Sequence, residues 1–382
     1  MDWRWPMRAL EGWTVGMLDG WRVGMVLLFL SNLPTFQLSA QDSSRISEAQ
    51  TVLAQLVESY GVSGMEAPVR ATVQRLLPSW VRTETDTAGN LWVRTGGGQG
   101  DGPVVIVAHL DEIGFRVDTI NADGTLGLRN RGGFILSLFE GKPALIHADR
   151  ADIPGIFLPR DTGLTRRTPP PLRVSVGATS RAGAESLGVK LGQTITMPKQ
   201  YVRLAGTRAT GRSFDDRMGC AALILALRRL DRTKLKHPVV FLFSTREEIG
   251  LEGAEAAARQ LGTATHRVHA IDTFVSADSP LELQNFAVAR LGQGAVARAL
   301  DNSSITPPAY VDSLAELARA RGIALQIGTT NGGNDGSTFV PYGVVDVPLG
   351  WPLRYSHSPV EIVDLKDLVS LADLVRAVAE DW

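Results

Sequence analysis

An apolar run that ends in a histidine and an aspartate constrains this chain most. Pro103 to Ala108 is almost entirely apolar and β-branched, which is typical of a strand buried on both faces of a sheet. His109 and Asp111 follow it, and residues two apart in a strand point to the same side. Asp111 could therefore hold the ring of His109 while the other ring nitrogen binds a metal. Alone, the pattern also suits a buried histidine that only satisfies a hydrogen bond.

Helical and strand-like segments alternate along most of the chain. After residue 206 the predicted helices are 218–230, 253–261, 311–321 and 365–379, and the predicted strands are 238–243, 268–271, 324–327 and 344–348. This alternation predicts an α/β fold with a mostly parallel sheet and helices on both faces. Such sheets place their functional sites at the carboxyl ends of their strands.

Residues 116–206 have a different pattern, in which short alternating strands with Gly, Pro and Asp turns replace long helical periods. We predict a small β-rich domain inserted into a catalytic domain of residues 42–115 and 207–382. The insert contains an apolar cluster, which consists of Phe134, Ile135, Leu136, Leu138 and Phe139. So small a domain would struggle to bury this cluster alone, and we therefore expect a second subunit to cover it.

Residues 1–41 have the composition of a targeting segment. A basic residue precedes the apolar run 23–30, and small residues at 39–40 precede a polar stretch. These features resemble a secretory signal peptide, and the apolar run is too short to cross a membrane as a helix. We therefore predict a periplasmic or secreted protein that begins near Gln41. The alternative is a disordered or mis-assigned extension on a cytoplasmic protein.

The charge balance and the cysteine content exclude several classes of protein. The 382 residues include 39 Lys or Arg and 40 Asp or Glu, and a net charge of −1 gives no electrostatic case for binding nucleic acid or an anionic membrane. The single cysteine, Cys220, excludes an intramolecular disulfide framework and a thiolate-rich metal site. Because it lies in an apolar run, we expect a packed thiol.

Further acids and a second histidine lie after strands or before a helix. They are Asp215, Asp216, Glu247, Glu248, Asp272 and His357. Nitrogen and oxygen ligands without sulfur suit zinc, cobalt or manganese, and two histidines with three carboxylates suit a pair of ions that activates water. The adjacent glutamates diverge from an extended backbone, so one could bind metal while the other carries a proton. Taken singly, the aspartate pair is also typical of a helix N-cap, and the glutamate pair of a solvated turn.

Four segments in this order resemble the TET family of dinuclear metallo-aminopeptidases, which includes glutamyl and deblocking aminopeptidases. They are His109-Leu-Asp-Glu-Ile-Gly114, Phe214-Asp-Asp-Arg-Met-Gly-Cys220, Glu247-Glu-Ile-Gly-Leu-Glu-Gly-Ala254 and Arg354-Tyr-Ser-His-Ser-Pro-Val-Glu361. The resemblance extends from about residue 49 to residue 379. It departs from the family at the Arg- and Pro-rich segment 158–171, at Ser175, where an aspartate is frequent, and at the signal-like N-terminus, because most members look cytoplasmic.

The resemblance also implies the role of each residue. His109 and Asp272 would bind one ion, Glu248 and His357 the other, and Asp215 would bridge them. Asp111 would orient His109, and Glu247 would act as general base. The peptide bond after the bridging aspartate is often cis in such proteins. The insert would be a dimerisation domain, and twelve subunits commonly form a hollow tetrahedral shell.

We therefore expect a metal-dependent aminopeptidase that removes N-terminal residues from peptides. It would bind two divalent ions per subunit, with zinc as the expected metal and cobalt or manganese as the alternatives. The partners would be peptide substrates and further copies of the chain, as a dimer or a dodecamer, with no membrane association after processing. Loops such as 331–338 and 350–354 would form the side-chain pocket. The alternatives are a metallo-amidohydrolase acting on N-acyl amino acids and a catalytically silent peptide-binding shell protein.

Overall fold

The computed structural model describes residues 40–160, 170–279 and 288–382. The predicted signal segment and most of the Arg- and Pro-rich segment 158–171 therefore lie outside the described residues. Among those described, no helix combines the length and apolar character that a membrane span requires. Residues 44–382 form one compact unit.

The strands and helices alternate in the described part of the chain much as the sequence predicts. The strands are β1 (Thr83–Thr85), β2 (Leu91–Arg94), β3 (Val104–His109), β4 (Gly114–Ile120), β5 (Leu126–Arg131), β6 (Pro143–Ile146), β7 (Ile153–Phe157), β8 (Arg173–Ser175), β9 (Thr194–Thr196), β10 (Val202–Arg203), β11 (Arg208–Gly211), β12 (Val239–Ser244), β13 (Arg267–Val275), β14 (Ala295–Leu300), β15 (Leu325–Thr329), β16 (Val345–Asp346), β17 (Leu349–Leu353) and β18 (Glu361–Asp364). The α-helices are α1 (Ala40–Val57), α2 (Ala67–Leu76), α3 (Arg181–Ser186), α4 (Phe214–Arg229), α5 (Glu252–Leu261), α6 (Pro308–Ala320) and α7 (Leu365–Asp381). Short 3-10 helices cover Leu136–Leu138, Arg232–Lys234, Gly262–Ala264 and Asp335–Tyr342.

A nine-stranded mixed sheet organises the catalytic part of the described chain. Its strand order is β1-β2-β12-β3-β13-β17-β14-β15, and β16 pairs with β13. The four central strands β12, β3, β13 and β17 are mutually parallel, whereas β2 and β14 join them in antiparallel pairs. The predicted α/β class with a mostly parallel sheet is confirmed.

The central strand β3 shows why helices cover both faces of this sheet. All six of its residues are buried, and alternate side chains enter opposite cores. Ile106 packs with the buried faces of α4 and α7, whereas Val105 and Val107 pack with α5 and Phe339. A strand covered on both faces has no polar position until it ends, and its carboxyl end is therefore where His109 becomes available to a site.

The β-rich insert contains a closed six-stranded antiparallel barrel with the strand order β4-β5-β8-β7-β6-β9. Phe139 of the predicted apolar cluster is buried in the barrel core, but Ile135 and Leu138 are 65% and 41% exposed. The barrel strands span 114–196, whereas β10, also inside the predicted insert, pairs with β11, which pairs in turn with the C-terminal β18. The domain boundaries at 116 and 206 stay a prediction.

Two strands of the central sheet were not predicted. β14 was missed, and residues 350–354, expected in a loop, lie largely in β17 beside β13. Gly350 and Pro352 gave this segment the appearance of a turn. The glycine is required there, because a Cβ at Gly350 would lie 2.2 Å from the carbonyl oxygen of Asp272. Asp272 itself lies within the longer β13 and not after its end.

Candidate metal centre

The predicted site residues line one cavity at the carboxyl edge of the sheet. The cavity has a volume of about 330 Å³ and is lined by Asp215, Glu247, Asp272 and His357, among others. His109 ends β3 and faces Asp215, and Glu248 lies in the turn after β12 and faces His357. Residues up to 248 positions apart in the chain therefore meet at one edge of the sheet.

His109 is fixed between two carboxylates. Its Nε2 lies 3.1 Å from Asp215 Oδ1, and its Nδ1 lies 3.4 Å from Asp111 Oδ1. Asp111 is fully buried, and it accepts hydrogen bonds from the Ser63 hydroxyl (2.6 Å) and from the backbone N–H of Glu247 (2.9 Å). Burial opposes ionisation, yet the hydrogen bonds to the carboxylate lower the pKa of Asp111. Asp111 thus connects the end of β3 to the glutamate turn.

Asp215 and Asp216 have separate roles, although sequence alone left both a ligand and an N-cap open. Asp215 Oδ1 faces His109 Nε2 at 3.1 Å and its Oδ2 faces His357 Nε2 at 3.3 Å. Asp216 instead accepts from the backbone N–H of His109 (2.8 Å) and of Gly219 (3.0 Å), which belongs to the first turn of α4. The peptide bond between the two aspartates is cis, as the resemblance implies. Asp215 therefore faces the cavity, and Asp216 supports the backbone behind it.

Glu248 and His357 form the opposite side of the cluster. His357 Nε2 lies 3.2 Å from Glu248 Oε2, and the buried Glu248 Oε1 has no hydrogen-bond partner among the described residues. Burial opposes protonation of the ring, but Glu248 and Asp215 raise the pKa of His357 to about 12. Donor atoms of His109, Asp215 and Glu248 lie within 4.8 Å of one another, as ligands of an ion would. A cation between these acids would satisfy the orphaned oxygen, and the donor set fits zinc, cobalt or manganese.

Asp272 lines the cavity but is directed to a different partner. Its Oδ2 lies 3.1 Å from Arg298 Nη1, and its Oδ1 accepts from the backbone N–H of Thr273 at 2.5 Å. Arg298 is also paired with Asp301 at 2.9 Å. The structure therefore brings Asp272 to the same cavity without including it in the three-residue cluster, and its role as a ligand stays a prediction.

Glu247 is suited to move protons. Its carboxylate enters the cavity with 14% of the side chain exposed, and Oε2 lies 3.9 Å from His109 Nε2. Burial raises the pKa of Glu247 well above its usual value, and the carboxylates of Asp272 and Glu248 raise it further against the opposing effect of His109. A raised carboxylate pKa brings proton uptake and release closer to neutral pH.

Sequence reasoning missed a buried ion cluster behind the site. The carboxylate of Glu112 lies 2.7 Å from Lys199 Nζ, 3.2 Å from Arg212 and 3.5 Å from Arg217, and all four side chains are essentially inaccessible. Arg217 also donates to the backbone carbonyl of Asp111 at 3.3 Å. The only sequence signal was a glutamate directly after Asp111, which in isolation is typical of a surface residue.

Comparison with known proteins gives consistent results. The sequence profile of the M42 glutamyl aminopeptidases matches residues 89–374. The TET1 peptidase of Pyrococcus horikoshii, described as able to assemble into a tetrahedron or a large octahedral shell, is 31% identical with a TM-score of 0.78, and the match covers 88% of this chain and 100% of that one. Aminopeptidase APDkam598 of Desulfurococcus kamchatkensis is 28% identical with a TM-score of 0.82, covering 88% and 96%. The lysyl aminopeptidase of Pyrococcus furiosus is 27% identical over 345 residues, which is 86% of this chain and 96% of the relative.

These relatives contradict the prediction of export. The match to the TET1 peptidase covers 88% of this chain, and the match to the lysyl aminopeptidase covers 86% of it. TET peptidases are also the proteins for which the resemblance implied a cytoplasmic location. The prediction of a periplasmic or secreted protein is therefore wrong.

The resemblance read from the four segments is confirmed. The profile match includes all four segments completely, from His109 to Glu361. The two solved relatives superpose on this structure over 88% of its chain, with TM-scores of 0.82 and 0.78. The chain belongs to the family of M42 glutamyl aminopeptidases.

Proposed function

We propose that the protein is a metal-dependent aminopeptidase that removes N-terminal residues from peptides. The observation that carries this proposal is the position of Asp215, whose two oxygens face the Nε2 atoms of His109 and His357 at 3.1 and 3.3 Å. One carboxylate between two imidazoles is the arrangement that a bridging ligand of two ions requires. The five ligands proposed are His109, Asp215, Glu248, Asp272 and His357.

Each residue then has a defined part. His109 and Asp272 would hold one ion, and Glu248 and His357 the other. When bound, two such ions supply a water of lowered pKa and polarise the scissile carbonyl. Glu247 takes a proton from the attacking water and returns it to the leaving amine, because its carboxylate enters the cavity and its Oε2 lies 3.9 Å from His109 Nε2.

The cavity supports cleavage at a chain end. A volume of about 330 Å³ accommodates a terminal residue and its peptide bond but not a folded segment. Arg298, Asn331 and Tyr355 line the wall beyond the proposed ligands. The family description names glutamyl substrates and one relative is a lysyl aminopeptidase, so we propose a free N-terminus as the shared substrate feature.

We also propose a homo-oligomer built from dimers. Ile135 and Leu138 stay largely exposed on the barrel, and large exposed apolar side chains mark protein contacts. Related structures are described as a dodecamer and as a tetrahedral or octahedral shell. In this proposal residues 116–206 pair the subunits, while residues 42–115 and 207–382 carry out catalysis.

Replacement of Glu247 by glutamine tests the chemistry. Glu247→Gln should lower kcat by about 100-fold or more, because a positioned proton carrier typically contributes 10²–10⁴. Elemental analysis should still find the wild-type metal content. Glu255→Gln, an exposed residue of α5, serves as the control with unchanged kcat. The substrates are aminoacyl-anilides and N-acetyl amino acids, and a preference for the acetylated set, or near-normal turnover by Glu247→Gln, would contradict the proposal.

A further inference from the structure

We propose that the barrel completes the metal centre: the loop of residues 132–133, between Arg131 and Phe134, positions His357 through the carbonyl oxygen of Gly133. The inference rests on the proposed function, because it takes His357 to be a metal ligand. The hydrogen bond between His357 Nδ1 and Gly133 O is 2.6 Å long. It joins the C-terminal part of the chain to a loop that follows the barrel strand β5.

His357 needs an external partner to hold its ring. The residue lies in the connection between β17 and β18 with φ +57°, and its side chain is 33% exposed. A carbonyl oxygen can only accept, so the ring carries a proton on Nδ1, and Nε2 is the nitrogen left to bind a metal ion. Nε2 is the atom that faces Glu248 and Asp215. The carbonyl therefore selects both the tautomer and the ring orientation that metal binding requires.

The loop that supplies this carbonyl is fixed on both sides. Before it, Arg131 Nε donates to the carbonyl oxygen of Ser63 at 3.1 Å, and the hydroxyl of Ser63 donates to Asp111 at 2.6 Å. After it, Phe134 packs edge-on against Phe115 of the barrel core, with ring centroids 5.0 Å apart. The carbonyl is thus anchored both to the barrel and to the residue that orients His109.

Gly132 allows the loop to approach the site this closely. Its φ is +100°, and a Cβ at this position would lie 2.6 Å from Ile113 Cγ2 and 3.3 Å from Glu248 Oε2. Because Ile113 and Glu248 are both buried, an added Cβ would displace the loop and not these two side chains. A displaced loop would take the Gly133 carbonyl away from His357, whereas no hydrogen bond among the described residues joins the loop to His109 or Asp272.

Gly132→Ala is the test, with Gly192→Ala as its matched control. Gly192 lies in the same barrel with φ +88°, and a Cβ there meets nothing within 4 Å, so the backbone strain is similar and the contact is missing. Zinc content is measured by elemental analysis after equilibration in zinc buffers, together with the thermal midpoint. Gly132→Ala should bind one of its two ions about 10- to 100-fold more weakly, as loss of a partner behind a ligand does. The other ion, and both ions of Gly192→Ala, should keep wild-type affinity.

Two further variants keep the outcomes distinct. Arg131→Met removes the anchor to Ser63 and should weaken the same ion, which provides the test if Gly132→Ala does not fold. His357→Ala reports on the ligand itself: wild-type retention of both ions in that variant would overturn the proposed metal centre. If His357→Ala loses one ion while Gly132→Ala and Arg131→Met keep both at wild-type affinity, only the positioning inference is overturned.

Discussion

Replacement of Glu112 by glutamine should destabilise the fold far more than the loss of a surface ion pair. Glutamine keeps the size of the side chain but removes the negative charge that pairs with three buried cations, which are Lys199, Arg212 and Arg217. Breaking a buried ion pair by removing one partner typically costs about 3–5 kcal/mol, because the other charge stays buried and uncompensated.

The pKa of Glu112 gives a second value for the unfolding free energy that Glu112→Gln should lose. Burial alone would raise it, but the three cations lower it from 4.5 to about 2. This difference corresponds to about 3 kcal/mol of interaction that favours the charged carboxylate in the folded state. Both arguments therefore predict that Glu112→Gln lowers the unfolding free energy by about 3 kcal/mol or slightly more at neutral pH.

The pH dependence has a defined sign. Because the pKa of Glu112 is lower in the folded protein than in the unfolded chain, its contribution is complete above about pH 4.5. It is lost as the pH falls from 4.5 through 2, and about 2 kcal/mol of it is lost by pH 3. The difference in unfolding free energy between wild type and Glu112→Gln should therefore shrink as the pH falls through this window.

Urea unfolding at pH 7, 5, 4 and 3 measures these free energies. Glu255→Gln is the matched control, because Glu255 pairs with Arg259 at 2.9 Å on the surface of α5 with half of its side chain exposed. An exposed pair of this kind contributes at most about 1 kcal/mol. If Glu112→Gln cost no more than this control at pH 7, or if its effect stayed constant down to pH 3, the reasoning would be refuted.

Two further predictions concern the ions and the assembly. Asp215→Asn should weaken zinc binding at both positions, whereas His357→Ala should mainly empty one, and full occupancy of both positions in Asp215→Asn would place the bridge elsewhere. Light scattering at micromolar concentration should give the mass of a dimer or a larger multiple, because Ile135 and Leu138 are exposed on the barrel. A mass near the 41.2 kDa of one chain would rule out the proposed assembly.

The strand ends were predictable because the central strands are covered on both faces. In such a strand the positions before the end are apolar, so the first polar residues mark the carboxyl edge, as His109 does at the end of β3 and Ser244 at the end of β12. Glu247 follows three residues after Ser244. The parallel register then places Ser244 beside His109 and brings the two edges together. The sequence indicates which residues lie at an edge, but pairing between strands decides which of them meet.

Other parts of the site left no readable signal. The hydrogen bond from His357 uses a backbone carbonyl, which every residue has, and it therefore cannot be recognised in the sequence. Which aspartate faces the cavity and which accepts from the backbone, Asp215 or Asp216, depends on the local backbone geometry. The sequence therefore could not distinguish a metal ligand from a helix cap at these two positions. Strand β17 was missed because Gly350 and Pro352 are turn residues by composition, and their tolerance in a strand depends on the neighbouring β13.

The barrel loop has a consequence for how members of this family can diverge. If the barrel served only for association between subunits, it could be replaced by the barrel of a relative, provided that its two ends still joined the rest of the chain. Here Gly133 contacts a residue more than two hundred positions later, and Lys199 pairs with Glu112 across the same junction. A graft that changed Gly132, Gly133 or Lys199 would alter the hydrolytic centre as well as the assembly. We therefore expect a chimaera with a relative's barrel to stay active only when His357 and Glu112 come from the same parent as the loop and Lys199.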